Sequence, residues 1–330
     1  MTRFAWLTVG AVTQALLMAS AAPAVAGEHP APDQIGQRKN AAFRVVGYLP
    51  DYRMQALDRN AGRYLTDLIY FSVEPDATGE LKRDRLRAAD VAALQAIKQR
   101  HGVALYLCIG GWERSAGFAP LAASPAARKR FAAAATQFCL ENRFDGIDLD
   151  WEHPAGDEEY RNFAVLLAEI KRRFAPRGLD LTIAVAGWQT PPAAVIAAVD
   201  RIHLMAYDAE GRHSTLEFAG AELDKFSKSG VPPAKTCLGL PFYGRGVHDR
   251  GKTLTYAEIA RRYHPAAEVD EVDGVYFNGA GTIERKTKMA LQRKLAGVMM
   301  WELGQDAADE RSLLHVIDRT IRHGPPRGQE

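Results

Sequence analysis

Residues 144–152 read Phe-Asp-Gly-Ile-Asp-Leu-Asp-Trp-Glu, a run rich in carboxylates and regular in spacing. Side chains on an extended strand alternate between faces. Ile147, Leu149 and Trp151 therefore share one face, and Asp148, Asp150 and Glu152 share the other. The apolar face argues against a solvated edge strand and predicts that the acids point into an interior. Desolvation and mutual repulsion disfavour three carboxylates there, so stability alone does not explain the row. The same two forces raise carboxyl pKa values. They suit Glu152, the last of the row, to act as a protonated general acid near neutral pH. Hard-metal binding is the other chemistry open to clustered carboxylates, but no His cluster or Asp-rich calcium loop accompanies them. Neither a metal nor a cofactor is expected. Asp145 has the opposite parity and reads as structural.

Such a row needs a frame that encloses it. Short apolar, β-rich runs recur at 44–49, 67–73, 103–109, 145–151, 179–186, 201–207, 235–241 and 296–301. Most are nearly continuous in apolar character, as expected of parallel strands buried on both faces. Helical patterns lie between them. Phe163, Leu166, Leu167, Ile170 and Phe174 form one stripe, and Leu314, Ile317 and Ile321 form another. Ser124-Pro125 reads as an N-cap followed by proline at the first helical position. The alternation predicts an α/β fold, a (β/α)8 TIM barrel in a single domain over 43–323. A doubly wound sheet would need a glycine-rich phosphate loop after an early strand, and the sequence has none. Glu152 then falls at the C-terminal end of a barrel strand, the face where such barrels carry their active sites.

The first 26 residues read as a cleaved export signal: Arg3, an apolar stretch from Phe4 to Met18, and small residues Ala24-Val25-Ala26 before a cut after Ala26. A secreted or periplasmic protein without a membrane anchor after cleavage is expected. Residues 27–42 read as a disordered leader and 324–330 as a disordered tail. The chain has 42 basic and 40 acidic residues, a balance that argues against nucleic acid as the partner and favours a neutral polymer or small neutral ligand. Cys108, Cys139 and Cys237 are too few for a disulfide framework, and the chain is long enough to bury a full core without one. They are expected to be buried and unbridged, in a monomer.

Asp145, Asp148, Asp150 and Glu152, with Gly146 and Trp151, match the DxxDxDxE motif, and the chain resembles the family-18 glycoside hydrolases, the chitinase family. The resemblance runs through the barrel. Val46-Gly47-Tyr48 resembles that family's first strand, Gly110-Gly111-Trp112 the end of its third and Met205-Ala206-Tyr207-Asp208 its sixth. Leu240 to Arg245 resembles its seventh and Gly297 to Trp301 its eighth. The acidic motif and these five stretches, in the family's order, imply a hydrolase of N-acetylglucosamine oligo- or polysaccharides that uses substrate assistance rather than two opposing carboxyls. The resemblance implies Glu152 as acid and then base, Asp150 as the group orienting the acetamide, and Asp148 sharing a proton or hydrogen bond with Asp150. It implies Tyr207 as donor to the acetamide oxygen and Asp208 and Met205 at the same sugar. Trp301 would floor the site. Trp112 and Trp188 would line outer subsites, and Tyr243 and Arg245 would contact sugar or order the site. Tyr48 is equally readable as substrate contact or core.

Two departures stand out. Cys108 occupies a position where the family commonly has serine, and a thiol is the weaker hydrogen-bond partner. Residues 242–295 are too few for the large α+β insertion of many members once a helix near 284–294 is allowed for, which predicts a shallower, endo-acting cleft. The alternatives are an endo-β-N-acetylglucosaminidase acting on N-glycans or peptidoglycan, and a non-catalytic chitin-binding lectin. Lectins of this fold typically lose the motif's glutamate, and Glu152 is present.

Overall fold

A computed structural model describes residues 42–56 and 58–324. The expected export signal, residues 27–41 of the expected leader and residues 325–330 of the expected tail lie outside the described residues. Eight parallel strands close a barrel: β1 (Arg44–Pro50), β2 (Asp67–Val73), β3 (Ala104–Gly110), β4 (Gly146–Asp150), β5 (Asp180–Ala186), β6 (Arg201–Met205), β7 (Thr236–Pro241) and β12 (Gly297–Trp301). Their order around the barrel is the chain order, with β12 closing between β7 and β1. Every predicted strand is present within a residue or two of its expected ends. The chief difference is that β4 stops at Asp150 and β6 at Met205, so Glu152 and Tyr207 stand just beyond the strands that aim them.

Helices cover the outside. Ser124 accepts a hydrogen bond from the Ala127 amide and opens the helix Pro125–Asn142, so the cap and the proline act together. The stripe of Phe163, Leu166, Leu167, Ile170 and Phe174 is buried on the helix Gly156–Phe174, and Trp151 stacks against Phe118 at 5.3 Å in the same outer layer. Val46, Tyr48, Ile69, Phe71, Tyr106, Cys108, Cys237 and Met299 form a second, separate apolar cluster inside the barrel. The inner face is thus filled with side chains rather than open.

Polar groups close the N-terminal end of the barrel. Arg44 pairs with Asp67, and Arg201 donates to the Tyr106 hydroxyl at 2.8 Å while lying 3.3 Å from Asp180. Burial alone would raise the Asp67 pKa, yet Arg201 and Arg44 hold it below the usual carboxylate value.

The segment between β7 and β12 departs from expectation. Beside the helix Ala280–Gln292 it builds a small antiparallel sheet of β8 (Tyr243–Gly246), β9 (Thr253–Thr255), β10 (Glu271–Val272) and β11 (Val275–Tyr276), in the order β10-β11-β8-β9, with a helix Tyr256–Tyr263. This reduced α+β unit escaped the sequence reading because strands of two to four residues are too short for a period-two pattern.

All three cysteines are free and buried. Cys108 and Cys237 belong to the cluster inside the barrel, and Cys139 lies in the outer layer. A reductant should therefore shift Tm by less than about 1 °C in differential scanning calorimetry, whereas losing a native bridge removes about 2–5 kcal/mol. A large drop on reduction would show that a pair is bridged.

Candidate active site

A cavity of about 960 Å³ opens at the C-terminal end of the barrel strands. Asp150, Glu152, Met205, Tyr207, Asp208 and Trp301 all line it. The acids reach it because β4 alternates strictly: Asp148 lies deepest, Asp150 at the strand's end and Glu152 highest.

Two glycines allow β3 to run close beside them. Gly110 and Gly111 have φ of 96° and 104°, and a Cβ on Gly110 would lie 2.3 Å from the Asp150 carbonyl oxygen. The Gly111 amide donates to that same carbonyl at 2.7 Å. Ser115 Oγ accepts from the Glu152 amide at 3.0 Å, fixing the backbone where the catalytic candidate leaves the strand.

Asp148 is fully buried and bonded from below. Tyr48 Oη donates to its Oδ2 at 2.7 Å, Thr182 Oγ1 donates to its Oδ1 at 2.6 Å, and His203 Nδ1 lies 3.1 Å from Oδ1. Burial pushes its pKa up, but His203 and the two hydroxyls outweigh burial and bring it below the ordinary carboxylate value. Asp150 has no such support. It is buried, its Oδ1 has no hydrogen-bond partner, and burial followed by the charges of Glu152 and Asp148 drives its pKa well up. The expected hydrogen bond between Asp148 and Asp150 is not formed; the groups bonded to Asp148 are Tyr48, Thr182 and His203. Glu152 is raised to about 7, first by burial and then by Asp208, against a backbone hydrogen bond from Trp112. One acid of the row is thus pushed toward the anion, and the other two are pushed toward their protonated forms.

The opposite wall is built on the loop after β6. The Tyr207 hydroxyl has only a long contact to Met299 Sδ, at 3.9 Å, and burial raises its pKa well above the ordinary phenol value. Gly239 makes room for that ring: a Cβ there would lie 2.9 Å from Tyr207 Cε1 and 2.4 Å from the Leu204 carbonyl. Asp208 is held by the Tyr243 hydroxyl at 2.6 Å and by Arg245 at 3.2 Å. Tyr243 sits behind Asp208 rather than on the cavity wall, so its place is to order Asp208.

Trp301 meets Phe71 edge-on at 4.6 Å and Tyr48 at 5.7 Å, and lines the cavity. Tyr48 touches the cavity, but its hydroxyl is spent on Asp148. Trp112 and Trp188 line the cavity and are 69% and 65% exposed, on the segments that follow β3 and β5 on either side of β4. Asp145 accepts from the Leu105 amide and from Lys98, away from the cavity. His203, Thr182 and Ser115 were missed from sequence. Single polar residues in apolar strands carry no signal until the neighbouring strand is known. Among the described residues, no cluster of three or more His, Cys, Asp or Glu is arranged to hold a metal ion, and no helix is long and apolar enough to cross a membrane.

The barrel thus carries its row of acids at the C-terminal end of its fourth strand, the face where barrels of this kind keep their active sites. The family model of the glycosyl hydrolases family 18 matches residues 44–306, and the chain belongs to that family as a chitinase-like glycoside hydrolase. It is 26% identical to probable chitinase 2 of Drosophila melanogaster over 81% of this chain and 69% of that protein. It is 31% identical to chitinase 1 of Aphanocladium album over 66% of this chain and 65% of that one. The chain thus spans about two thirds of the length of these curated relatives. Among solved structures, the chitinase ChiB from the chitin utilization locus of Flavobacterium johnsoniae superposes with a TM-score of 0.75 at 28% identity, covering 84% of this chain and 93% of that one. A chitinase from Bacteroides thetaiotaomicron shares the fold with a TM-score of 0.79 at 23% identity, over 87% and 99% of the two chains.

The Glu152 carboxyl makes a prediction about stability. Its pKa is higher folded than unfolded, so stability is fully present below its ordinary value of 4.5 and falls as pH rises toward about 7. Glu152→Gln should raise the free energy of unfolding relative to wild type at pH 8, by up to about 3 kcal/mol, and leave it nearly unchanged at pH 4, as read by denaturant titration. An equal effect at both pH values would show that Glu152 is not held protonated.

Proposed function

We propose that the chain hydrolyses β-1,4-linked N-acetylglucosamine polymers, chitin or chitooligosaccharides, with retention of configuration and by substrate assistance. The observation that carries the reading is that Asp150 and Glu152 project side by side from one strand end into one cavity. Two carboxyls on the same side suit an acid with a helper, whereas an acid and an opposing nucleophile must face each other across the bond. Asp208, on the other wall, is already engaged by Tyr243 and Arg245.

In the proposed reaction Glu152 gives its proton to the glycosidic oxygen. The acetamide oxygen of the same sugar attacks the anomeric carbon as that bond breaks, forming an oxazolinium ion. The proton on Asp150 then hydrogen-bonds to the Glu152 carboxylate, and the other Asp150 oxygen accepts the acetamide N–H. Asp148 supplies fixed negative charge beneath, and the Tyr207 hydroxyl donates to the acetamide oxygen. Water enters from the face the leaving group vacated, opens the oxazolinium ring at the anomeric carbon and returns a proton to Glu152. Donors placed where charge develops accelerate such a step because they need not reorganise. Trp301 floors the sugar, and Trp112 and Trp188 support neighbouring units in an endo-acting cleft. Export directed by residues 1–26, to the periplasm or beyond, as a monomer, belongs to the same proposal.

The acetamide is the decisive group. N-acetylated oligomers should be cleaved to β-anomers first, while fully deacetylated chitosan and cellulose oligomers should be inert. Thiazoline analogues of the ring intermediate should inhibit competitively. Glu152→Gln should lower kcat by about 10²–10⁴-fold or more while retaining oligosaccharide binding. Asp150→Asn and Tyr207→Phe should each lower kcat more than they raise KM. Anomer-resolved NMR of the first products checks the scheme, and initial α-anomer or ready cellulose hydrolysis would replace it with a two-carboxylate mechanism. Side-by-side product analysis on N-acetylglucosamine oligomers, peptidoglycan and a glycoprotein separates the substrate classes.

A further inference from the structure

His203 is a fully enclosed histidine in the middle of β6, inside the barrel, and no step above uses it. Its Nδ1 lies 3.1 Å from Asp148 Oδ1 and 2.9 Å from Tyr48 Oη. Tyr48 has a single hydroxyl proton, which it donates to Asp148 Oδ2. Thr182 likewise spends its proton on Asp148 Oδ1. Nδ1 therefore faces two acceptors that have no proton left for it, and the geometry requires that Nδ1 itself carry one. Nε2, on the far side of the ring, is buried without a hydrogen-bond partner. A ring whose one bonded nitrogen points at a carboxylate, with nothing at the other, is built around that single contact.

The groups facing this contact come from several strands. Tyr48 stands on β1, Cys108 on β3 beside Asp148, Thr182 on β5, and Cys237 on β7 in register with His203. Arg201 lies at the base of β6, paired with the acids that close the barrel bottom. Asp150 and Glu152 stand above. Neither oxygen of Asp148 is bonded to Asp150.

We propose that His203 is a positioning residue: its Nδ1–H, with the Tyr48 and Thr182 hydroxyls, holds Asp148 as a carboxylate turned down into the barrel, so that the proton of the row stays on Asp150. The charge order of the three acids is then set from below, by β6, rather than by hydrogen bonding within β4. Because Cys108 is a weak donor where a hydroxyl would be a strong one, the imidazole is the nitrogen donor that completes the shell of Asp148. Removing it leaves a buried carboxylate short of one bond, and a hydrogen bond to a charged group is among the stronger ones.

The kinetic arm of the test rests on the reaction proposed above. There Asp148 must be ionised to balance the oxazolinium ion, so activity is lost as pH falls through its depressed pKa. Without the imidazole donor that pKa rises and the acid limb moves to higher pH. His203→Leu should shift the acid limb of kcat/KM upward by about one pH unit or more. It should lower kcat about tenfold or more with little change in KM. His203→Asn, which keeps an N–H donor, should recover much of both. An acid limb unmoved in both variants, with the rate falling only as the folded fraction falls, would overturn the proposal.

A second arm needs no activity. In histidine-labelled wild-type protein, 15N NMR should find Nδ1 of His203 protonated from pH 6 to 8, with the resonance assigned by its loss in His203→Asn. In aspartate-labelled protein, 13C NMR should find the Asp148 carboxyl titrating at higher pH in His203→Leu than in wild type. An Nε2–H tautomer, or an Asp148 titration indifferent to the substitution, would sink the proposal. Wild type inert toward N-acetylglucosamine oligomers would instead overturn the functional reading, leaving the NMR outcome to decide the role of His203.

Discussion

Every feature of the site depends on enclosing three carboxyl groups on one short strand. Taking an unpaired carboxylate out of water is prohibitive, so each group must be paired, hydrogen-bonded or neutral. Asp148 meets the constraint with three donors. Asp150, with an unpartnered oxygen, meets it by keeping a proton. Glu152, partly open to the cavity, is left near neutrality, where an acid can both give and retake a proton. The order from anion at the bottom to acid at the top follows from the donors that reach Asp148, since depth alone would favour its neutral form.

Such an order requires a closed barrel. The donors to Asp148 come from β5, its neighbour in the sheet, and from β6 and β1, which face it across the barrel interior. The ion pairs at the N-terminal end and the apolar cluster above them fill the interior and bury Asp148, which strengthens its contacts. Burial, with the nearby carboxylates, likewise explains the high phenol pKa of Tyr207, whose hydroxyl keeps its proton and remains a donor.

The wall opposite the acids has a different origin. Asp208 has a φ of 67°, and it is held in place by Tyr243 and Arg245 from β8, part of the small sheet inserted before β12. That sheet is reduced to strands of two to four residues, yet it still places a tyrosine and an arginine on the aspartate that raises the Glu152 pKa. The insertion therefore contributes to the electrostatics of the acid as well as to the shape of the cleft.

Much of this was legible in the residues. Alternation in 144–152 separated the inward acids from the outward Ile147, Leu149 and Trp151, because a strand's period is a local property that neighbours cannot change. Near-continuous apolar runs revealed the eight barrel strands for the same reason, and Ser124-Pro125 marked a helix start by chemistry confined to a few residues. Tertiary structure alone decided which acid is the anion. His203 and Thr182 are isolated polar residues within mostly apolar strands, and their meaning arises only when the folded sheet brings them to Asp148. The roles of Tyr48 and Tyr243 were likewise open in the sequence, since a tyrosine near a site can bind a ligand or hold a carboxylate, and only hydroxyl geometry distinguishes them. The order of residues along one strand is written in the sequence, but a pKa is a sum over everything within a few ångströms, and most of that arrives from elsewhere in the chain.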